Sequence, residues 1–242
     1  MNLHGKTYWI IGASEGLGLA LARLLSAEGA QVILSARNSE RLQEMEKEID
    51  GARGVAMDVT DGESVAQAVE QVGEVDGIVY SVGLYDPMPA QDWDAERALS
   101  IAEANYMGAL RVLGHIVPGM ARRKDGHIVL VGSLAGFSGL PGAIGYASSK
   151  AALMHLAEDM YADLHRSGVR VQRVNPGFIR TRLTAKNDFT MPQIMEPEGA
   201  ARHVLRAMRS GRFSTSFPKP FALLFMGSKF LPRRLFLRLM GA

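Results

Sequence analysis

Thr7-Tyr-Trp-Ile-Ile-Gly12-Ala-Ser-Glu-Gly16-Leu-Gly18 joins a short apolar run to a glycine loop, and an apolar-periodic segment follows it. The run from Thr7 to Gly12 reads as a strand and the segment from Gly16 to Glu28 as a helix. Glycines between a strand and a helix permit a tight turn. They also let the backbone approach a pyrophosphate seated on the free amides of the helix N-terminus. Gly12, Ser14, Glu15, Gly16, Leu17 and Gly18 are therefore candidate ligand contacts, and a tight turn without a ligand is the alternative reading.

Outward from this unit, apolar strand-like runs alternate with longer helical patterns. Strands are expected at Gln31 to Ala36, Gly54 to Met57, Gly77 to Val82, His127 to Gly132 and Arg170 to Asn175. Helices are expected at Ser39 to Glu48, Gly62 to Gln71, Trp93 to Arg122, Ile144 to Arg166 and Glu198 to Arg209. The alternation predicts an α/β fold: a doubly wound, mostly parallel Rossmann sheet with helices on both faces. It is expected as a single domain over residues 1–212, with 213–242 as a C-terminal helical extension. Ligands of such sheets lie beyond the carboxyl ends of the strands.

Composition excludes several chemistries. The chain has no cysteine, so it carries no disulfide, thiolate nucleophile or Cys-ligated zinc. Its six histidines show no metal-binding spacing, and no metal is expected. The N-terminus lacks a basic run ahead of an apolar stretch with a cleavage site, which predicts a cytoplasmic protein. The net charge of +2 conceals an asymmetry. Nine Lys or Arg and no Asp or Glu fall after residue 198, leaving 18 basic against 25 acidic residues in positions 1–198. Positive charge confined to an apolar tail, with no recognised reading motif, disfavours nucleic-acid binding.

Tyr146-Ala-Ser-Ser-Lys150, with Ser133 upstream, carries the chemistry. The four-residue spacing places Lys150 on the same helix face as Tyr146, one turn later. A free tyrosine titrates near ~10, and a nearby cation favours the phenolate. Chance co-occurrence on one helix remains the alternative for this pattern alone.

Together, the glycine loop, Ser133 with Tyr146 and Lys150, and the turn Asn175-Pro176-Gly177 resemble the short-chain dehydrogenase/reductase family, in its motif order and over nearly the whole chain. The resemblance implies a catalytic set of Asn105, Ser133, Tyr146 and Lys150. In that scheme Tyr146 protonates a carbonyl oxygen, Ser133 holds it, Lys150 binds the nicotinamide ribose and lowers the Tyr146 pKa, and Asn105 holds a water linking Lys150 to solvent. It also implies cofactor contacts at Asp58, Val59, Ser81, Val82, Gly83, Pro176, Gly177, Ile179 and Thr181, besides Tyr146 and Lys150. At the end of the second strand, Arg37 stands where an acidic residue would bind ribose hydroxyls. A guanidinium suits a 2′-phosphate, with Ser14 as a further donor, so NADP(H) is expected before NAD(H). Glu15 counts against this, because many NADP-preferring relatives carry a basic residue there.

Two departures from the family pattern stand out. Ile11 replaces a usual threonine, and Ser81-Val82-Gly83 replaces Asn-Ala-Gly. Both lost side chains brace the central strands, so a rewired support is expected in preference to a dead site.

Leu183, Phe189, Met191, Ile194 and Met195 fill the expected substrate loop, about residues 178–197. They suit an apolar or lipid-like ketone or secondary alcohol; capping the core or an oligomer interface is the alternative. The extension predicts two short amphipathic helices that dock on the body or a sister subunit, cover the substrate mouth, or make peripheral contact with a membrane. The resemblance implies a homodimer or homotetramer built on the two long helices. A non-catalytic dinucleotide sensor and a membrane-peripheral scaffold remain as other function classes.

Overall fold

The computed structural model describes residues 2–239, so the last three residues of the 213–242 extension lie outside the described residues. Seven parallel strands form one sheet in the order β3-β2-β1-β4-β5-β6-β7. They are β1 (Thr7–Ile11), β2 (Gln31–Ala36), β3 (Ala52–Ala56), β4 (Gly77–Tyr80), β5 (Gly126–Val131), β6 (Val169–Pro176) and β7 (Ser214–Phe217). The helices are α1 (Gly16–Ala27), α2 (Ser39–Glu48), α3 (Gly62–Val72), α4 (Ala95–Ala102), α5 (Gly108–Arg123), α6 (Ile144–Leu164), α7 (Pro197–Ser210), α8 (Lys219–Gly227) and α9 (Arg233–Leu239).

Strand alternation divides the core. Tyr8, Ile10, Val32, Leu34, Val79 and Val129 face the layer of α1, α2 and α7. Trp9, Ile11, Ile33, Ile78, Tyr80 and Ile128 face α3, α5 and α6. The strands β1, β2, β4 and β5 thus bury both faces, as a covered parallel sheet requires, while the edge strands β3 and β7 are more open. The chain leaves β1 for β2 on one side and returns for β4 on the other, so a crevice opens between the carboxyl ends of β1 and β4.

Two elements differ from the sequence expectation. The helix expected over Trp93 to Arg122 starts at Ala95, behind the Asp94 carboxylate that caps Arg97 N at 3.0 Å. Its middle, Glu103–Met107, is a π turn. The Tyr80 hydroxyl donates to the Ala104 carbonyl at 2.6 Å, and Gly108 N reaches back to the Glu103 carbonyl. A Cβ on Gly108 would lie 2.6 Å from the Tyr80 oxygen and 2.8 Å from Val59 Cβ, so glycine permits this close approach.

The second difference is β7, which was not expected and extends the sheet past residue 212. Ser-Thr-Ser-Phe has no apolar run. It is held by main-chain pairing to β6 and by the Asn175 amide, which donates to Ser216 Oγ at 3.1 Å and Ser214 Oγ at 3.4 Å.

Ser35, on β2, is fully buried. It accepts from Trp9 Nε1 at 2.9 Å and donates to the Val55 carbonyl at 2.7 Å, tying β1, β2 and β3 together.

Candidate active site

The glycine loop is packed too closely for side chains. A Cβ on Gly12 would come within 2.9 Å of Ser81 C and Val82 N, and one on Gly18 within 2.1 Å of the Gly12 carbonyl oxygen. Gly16 adopts φ +58°, and its Cβ would sit 3.0 Å from Thr181 Cγ2. Glu15 is ion-paired with Arg182 at 2.8 Å. The loop, the end of β4 and the segment after β6 therefore meet at the crevice, which is a cradle of the kind a pyrophosphate needs.

Beyond the ends of β2 and β3, Arg37 is exposed and lies near Asp58. Burial would raise the Asp58 carboxyl, but hydrogen bonds from Thr60 N (2.9 Å) and Thr60 Oγ1 (2.7 Å) and the Arg37 charge hold it below its usual value. Val59 is buried against Gly108. Arg41, which the sequence reading passed over, reaches the Ser14 carbonyl with Nε at 3.4 Å and pairs with Glu44 and Glu48. Its signal was available: the Asn38 N-cap fixes the helix start and hence the direction of the first turn.

Tyr146 and Lys150 lie in the first two turns of α6, as their spacing implies. Lys150 Nζ donates to the Val82 carbonyl at 2.9 Å and the Val131 carbonyl at 3.0 Å, and sits 6.0 Å from the Tyr146 ring centre. Burial pulls the Lys150 ammonium down to about 7, while its two carbonyl acceptors favour the charged form. Burial pushes the Tyr146 phenol up, and a hydrogen bond with Ser133 acts the other way. Ser133 itself caps the turn after β5, accepting from Ala135 N at 3.1 Å.

Asn105 is fully buried in the π turn. Its amide oxygen accepts from Leu84 N at 2.6 Å, and its nitrogen donates to the Leu84 carbonyl at 2.9 Å and Ser149 Oγ at 3.0 Å. It thus clasps the strand end formed by Ser81, Val82 and Gly83 to α6.

The substrate side is aromatic. Tyr85, missed in the sequence because a loop residue has no periodicity, packs edge-on against Tyr146 at 5.1 Å. Its hydroxyl donates to Asn187 Oδ1 at 2.9 Å, and Lys186 Nζ bonds the Tyr85 carbonyl and Asp86 at 3.1 Å each. These contacts tie the segment around Lys186 and Asn187 to the loop after β4, beside Tyr146. Met195 packs on the core beside Ile179, whose side chain is itself in the core, leaving its main chain for any ligand contact. Phe189 is half exposed and meets Phe178 at 5.8 Å. Gly177 lies against Leu134 Cδ1 and Pro218 Cδ, at 3.3 Å from each by its Cβ direction.

A profile of the short chain dehydrogenase family matches residues 6–191. The chain is 35% identical to an uncharacterised oxidoreductase of Myxococcus xanthus, covering 96% of this chain and 94% of that protein. It is 33% identical to a 3-oxoacyl-acyl-carrier-protein reductase of Thermotoga maritima, over 94% of this chain and 92% of the other. Among solved structures, a short chain dehydrogenase from Burkholderia cenocepacia in complex with NADP superposes with a TM-score of 0.88 at 27% identity, covering 99% of both chains. The chain belongs to the short-chain dehydrogenase family. It is an oxidoreductase of the class that acts on CH–OH groups with a nicotinamide dinucleotide.

Proposed function

We propose that the protein is an NADP-dependent enzyme interconverting a ketone and a secondary alcohol, with an apolar, lipid-like substrate. The observation that carries this reading is the Tyr146 phenol, with Ser133 beside it, one turn from a buried Lys150. A bound nicotinamide supplies or accepts the hydride, and the protein supplies position and electrostatics. In reduction, Ser133 Oγ and Tyr146 OH hold the carbonyl oxygen, and the phenol proton passes to that oxygen as it becomes the alcohol. Lys150 then faces the phenolate as a cation and favours it. In oxidation the same proton returns to Tyr146. Asn105 acts through position, because its amide is occupied by Leu84 and Ser149; a water relay to Lys150 would start from the main chain of the π turn.

The glycine cradle fits a dinucleotide, with Val82, Pro176 and Gly177 beside the nicotinamide end and Thr181 opposite Gly16. Arg37 and Arg41 are the two guanidinium groups placed for a 2′-phosphate, although Glu44 and Glu48 share the Arg41 charge. The Thermotoga relative's name denotes a carbonyl on an acyl chain, the combination that the wall of Tyr85, Phe178, Phe189 and Phe221 suits. Leu99 on α4, Met107 on the π turn and Leu110 on α5 are exposed, which supports pairing of the long helices in a homodimer or homotetramer. The reading places the protein in the cytoplasm, free or at a membrane surface.

A series of methyl ketones of rising chain length, run with NADPH and with NADH, tests this. KM should fall with length, NADPH should be preferred, and Arg37→Asp should erode that preference by about tenfold or more. Preference for NADH in the wild type, or indifference to chain length, sinks the corresponding half of the proposal.

A further inference from the structure

The extension has two faces. The inner face buries Ala222, Phe225 and Phe236 against Leu134, with Phe137, Leu140, Phe221 and Leu231 around them. Arg233 fastens it, with Nη1 on Ser138 Oγ at 2.5 Å and the guanidinium 5.9 Å from the Phe236 ring centre. The extension is thus docked on the turn that begins at Ser133.

The outer face is exposed among the described residues. Leu223 is 66% exposed, Met226 47%, Leu235 46%, Leu239 56% and Phe230 91%. Scattered exposed hydrophobics are ordinary, but Leu223 and Met226 lie one turn apart on α8, Leu235 and Leu239 one turn apart on α9, and Phe230 on the turn between them, so each helix carries an exposed apolar stripe. Lys219, Lys229, Arg234 and Arg238 are exposed among them, and no acidic residue occurs after residue 198.

We propose that this outer face docks on an anionic lipid surface, with the apolar side chains entering the headgroup region and the four cations meeting lipid phosphates. The match is one of charge and form. Flexible apolar side chains interleaved with cations, with no carboxylate, suit a fluid anionic surface, which demands neither fixed shape nor directional hydrogen bonds. The placement adds a consequence that rests on the proposed apolar substrate. Phe236, Phe225, Phe221, Phe178 and Phe189 follow one another at 6.0, 4.9, 5.7 and 5.8 Å between ring centres. Phe225 and Phe236 are buried, so Phe221, Phe178 and Phe189 are the part of this row that a lipid-derived carbonyl compound would meet on its way from the extension toward the loop bonded to Tyr85.

Co-sedimentation of the full-length protein with vesicles tests the docking. The protein should sediment with phosphatidylcholine vesicles containing phosphatidylglycerol, not with phosphatidylcholine alone, and added salt should release it. The double variant Leu223→Glu/Phe230→Glu should lose about tenfold or more in partitioning, as should Lys229→Glu/Arg238→Glu. Both pairs point outward, so melting temperature and turnover of a short, water-soluble ketone should match the wild type. Absence of the wild type from anionic vesicles overturns the proposal, as does undiminished partitioning of the variants. If the substitutions instead dissolve an oligomer seen by sedimentation velocity without vesicles, the face belongs to a second copy and the proposal fails. A ketone series without chain-length dependence would remove the apolar substrate and leave the vesicle result standing, so the two failures are distinguishable.

Discussion

Tyr146 is where burial and chemistry meet. Its phenol is pushed above the ordinary tyrosine value by burial, so the proton that reduction needs is present throughout the neutral range. The sign for the two directions follows. Reduction uses the protonated phenol, so its rate should stay level through neutral pH and fall only in the alkaline range. Oxidation uses the phenolate, so its rate should climb as pH rises. Tyr146→Phe removes the proton donor and leaves the ring, and turnover should drop about a hundredfold to ten-thousandfold with the melting temperature little changed. Initial rates in both directions from pH 6 to 10, on wild type and variant, check this; a variant that keeps wild-type rates ends the assignment. The pair of Tyr146 and Lys150 could be read from the sequence because helical spacing alone sets their relation. Tyr85 could not, since the partner that places it, Asn187, is distant in the chain; for Arg41 the Asn38 cap marks the first turn of α2, but its Ser14 partner is distant too.

Elements were legible where a long apolar period carried them. The first six strands and the helices α1, α2, α3, α6 and α7 lie within two residues of the expected bounds. The π turn was hidden because Glu-Ala-Asn-Tyr-Met continues a helical pattern, and only the Tyr80 hydroxyl, from another element, diverts the ladder. Strand β7 was hidden because hydroxyl side chains bonded to Asn175 hold it where an apolar run would be expected. A further cross-element device is the row Tyr8, Gly77 and His127, which are register partners on β1, β4 and β5. The Tyr8 ring crosses β4 at Gly77, where a Cβ would lie 2.2 Å from ring atom Cε1, to reach His127 Nδ1 at 2.8 Å. Gly77→Ala therefore forces the ring or the strand to shift, costing about 1–3 kcal/mol of stability. Gly77 stands at the amino end of β4, away from the crevice, so turnover per folded molecule should be unchanged. Thermal melts with turnover measured below the transition decide this; wild-type stability in the variant contradicts the crossing.

At the scale of the molecule, the two ends of the sheet answer to acid separately. At the end opposite the crevice, Tyr8, His127 and Gln172 form one buried chain from β1 to α7. Gln172 Nε2 donates to the Ala207 carbonyl at 2.9 Å and the Arg212 carbonyl at 2.6 Å, which leaves its Oε1 as the acceptor for His127 Nε2 at 2.7 Å. His127 therefore carries its proton on Nε2 and accepts the Tyr8 hydroxyl at Nδ1. A second proton would displace that hydroxyl bond inside the core, and burial holds the imidazole down to about 4. The folded value lies below the unfolded one, so the unfolded chain binds the extra proton first. This contribution to stability is complete above about pH 6.5, declines as pH falls toward 4, and amounts to about 3 kcal/mol across that window. The Asp58 and Asp76 carboxyls, held below their usual values, add losses only at lower pH. Activity lost between pH 6.5 and 4.5 should consequently track unfolding, since the Tyr146 phenol remains protonated throughout that range. Melting curves across the window should slope with pH in the wild type. His127→Asn should melt lower at pH 7.5, with its Tyr8 and Gln172 partners left short, but with a flatter slope below 6.5. A slope as steep as the wild type's would show that acid acts through some other group.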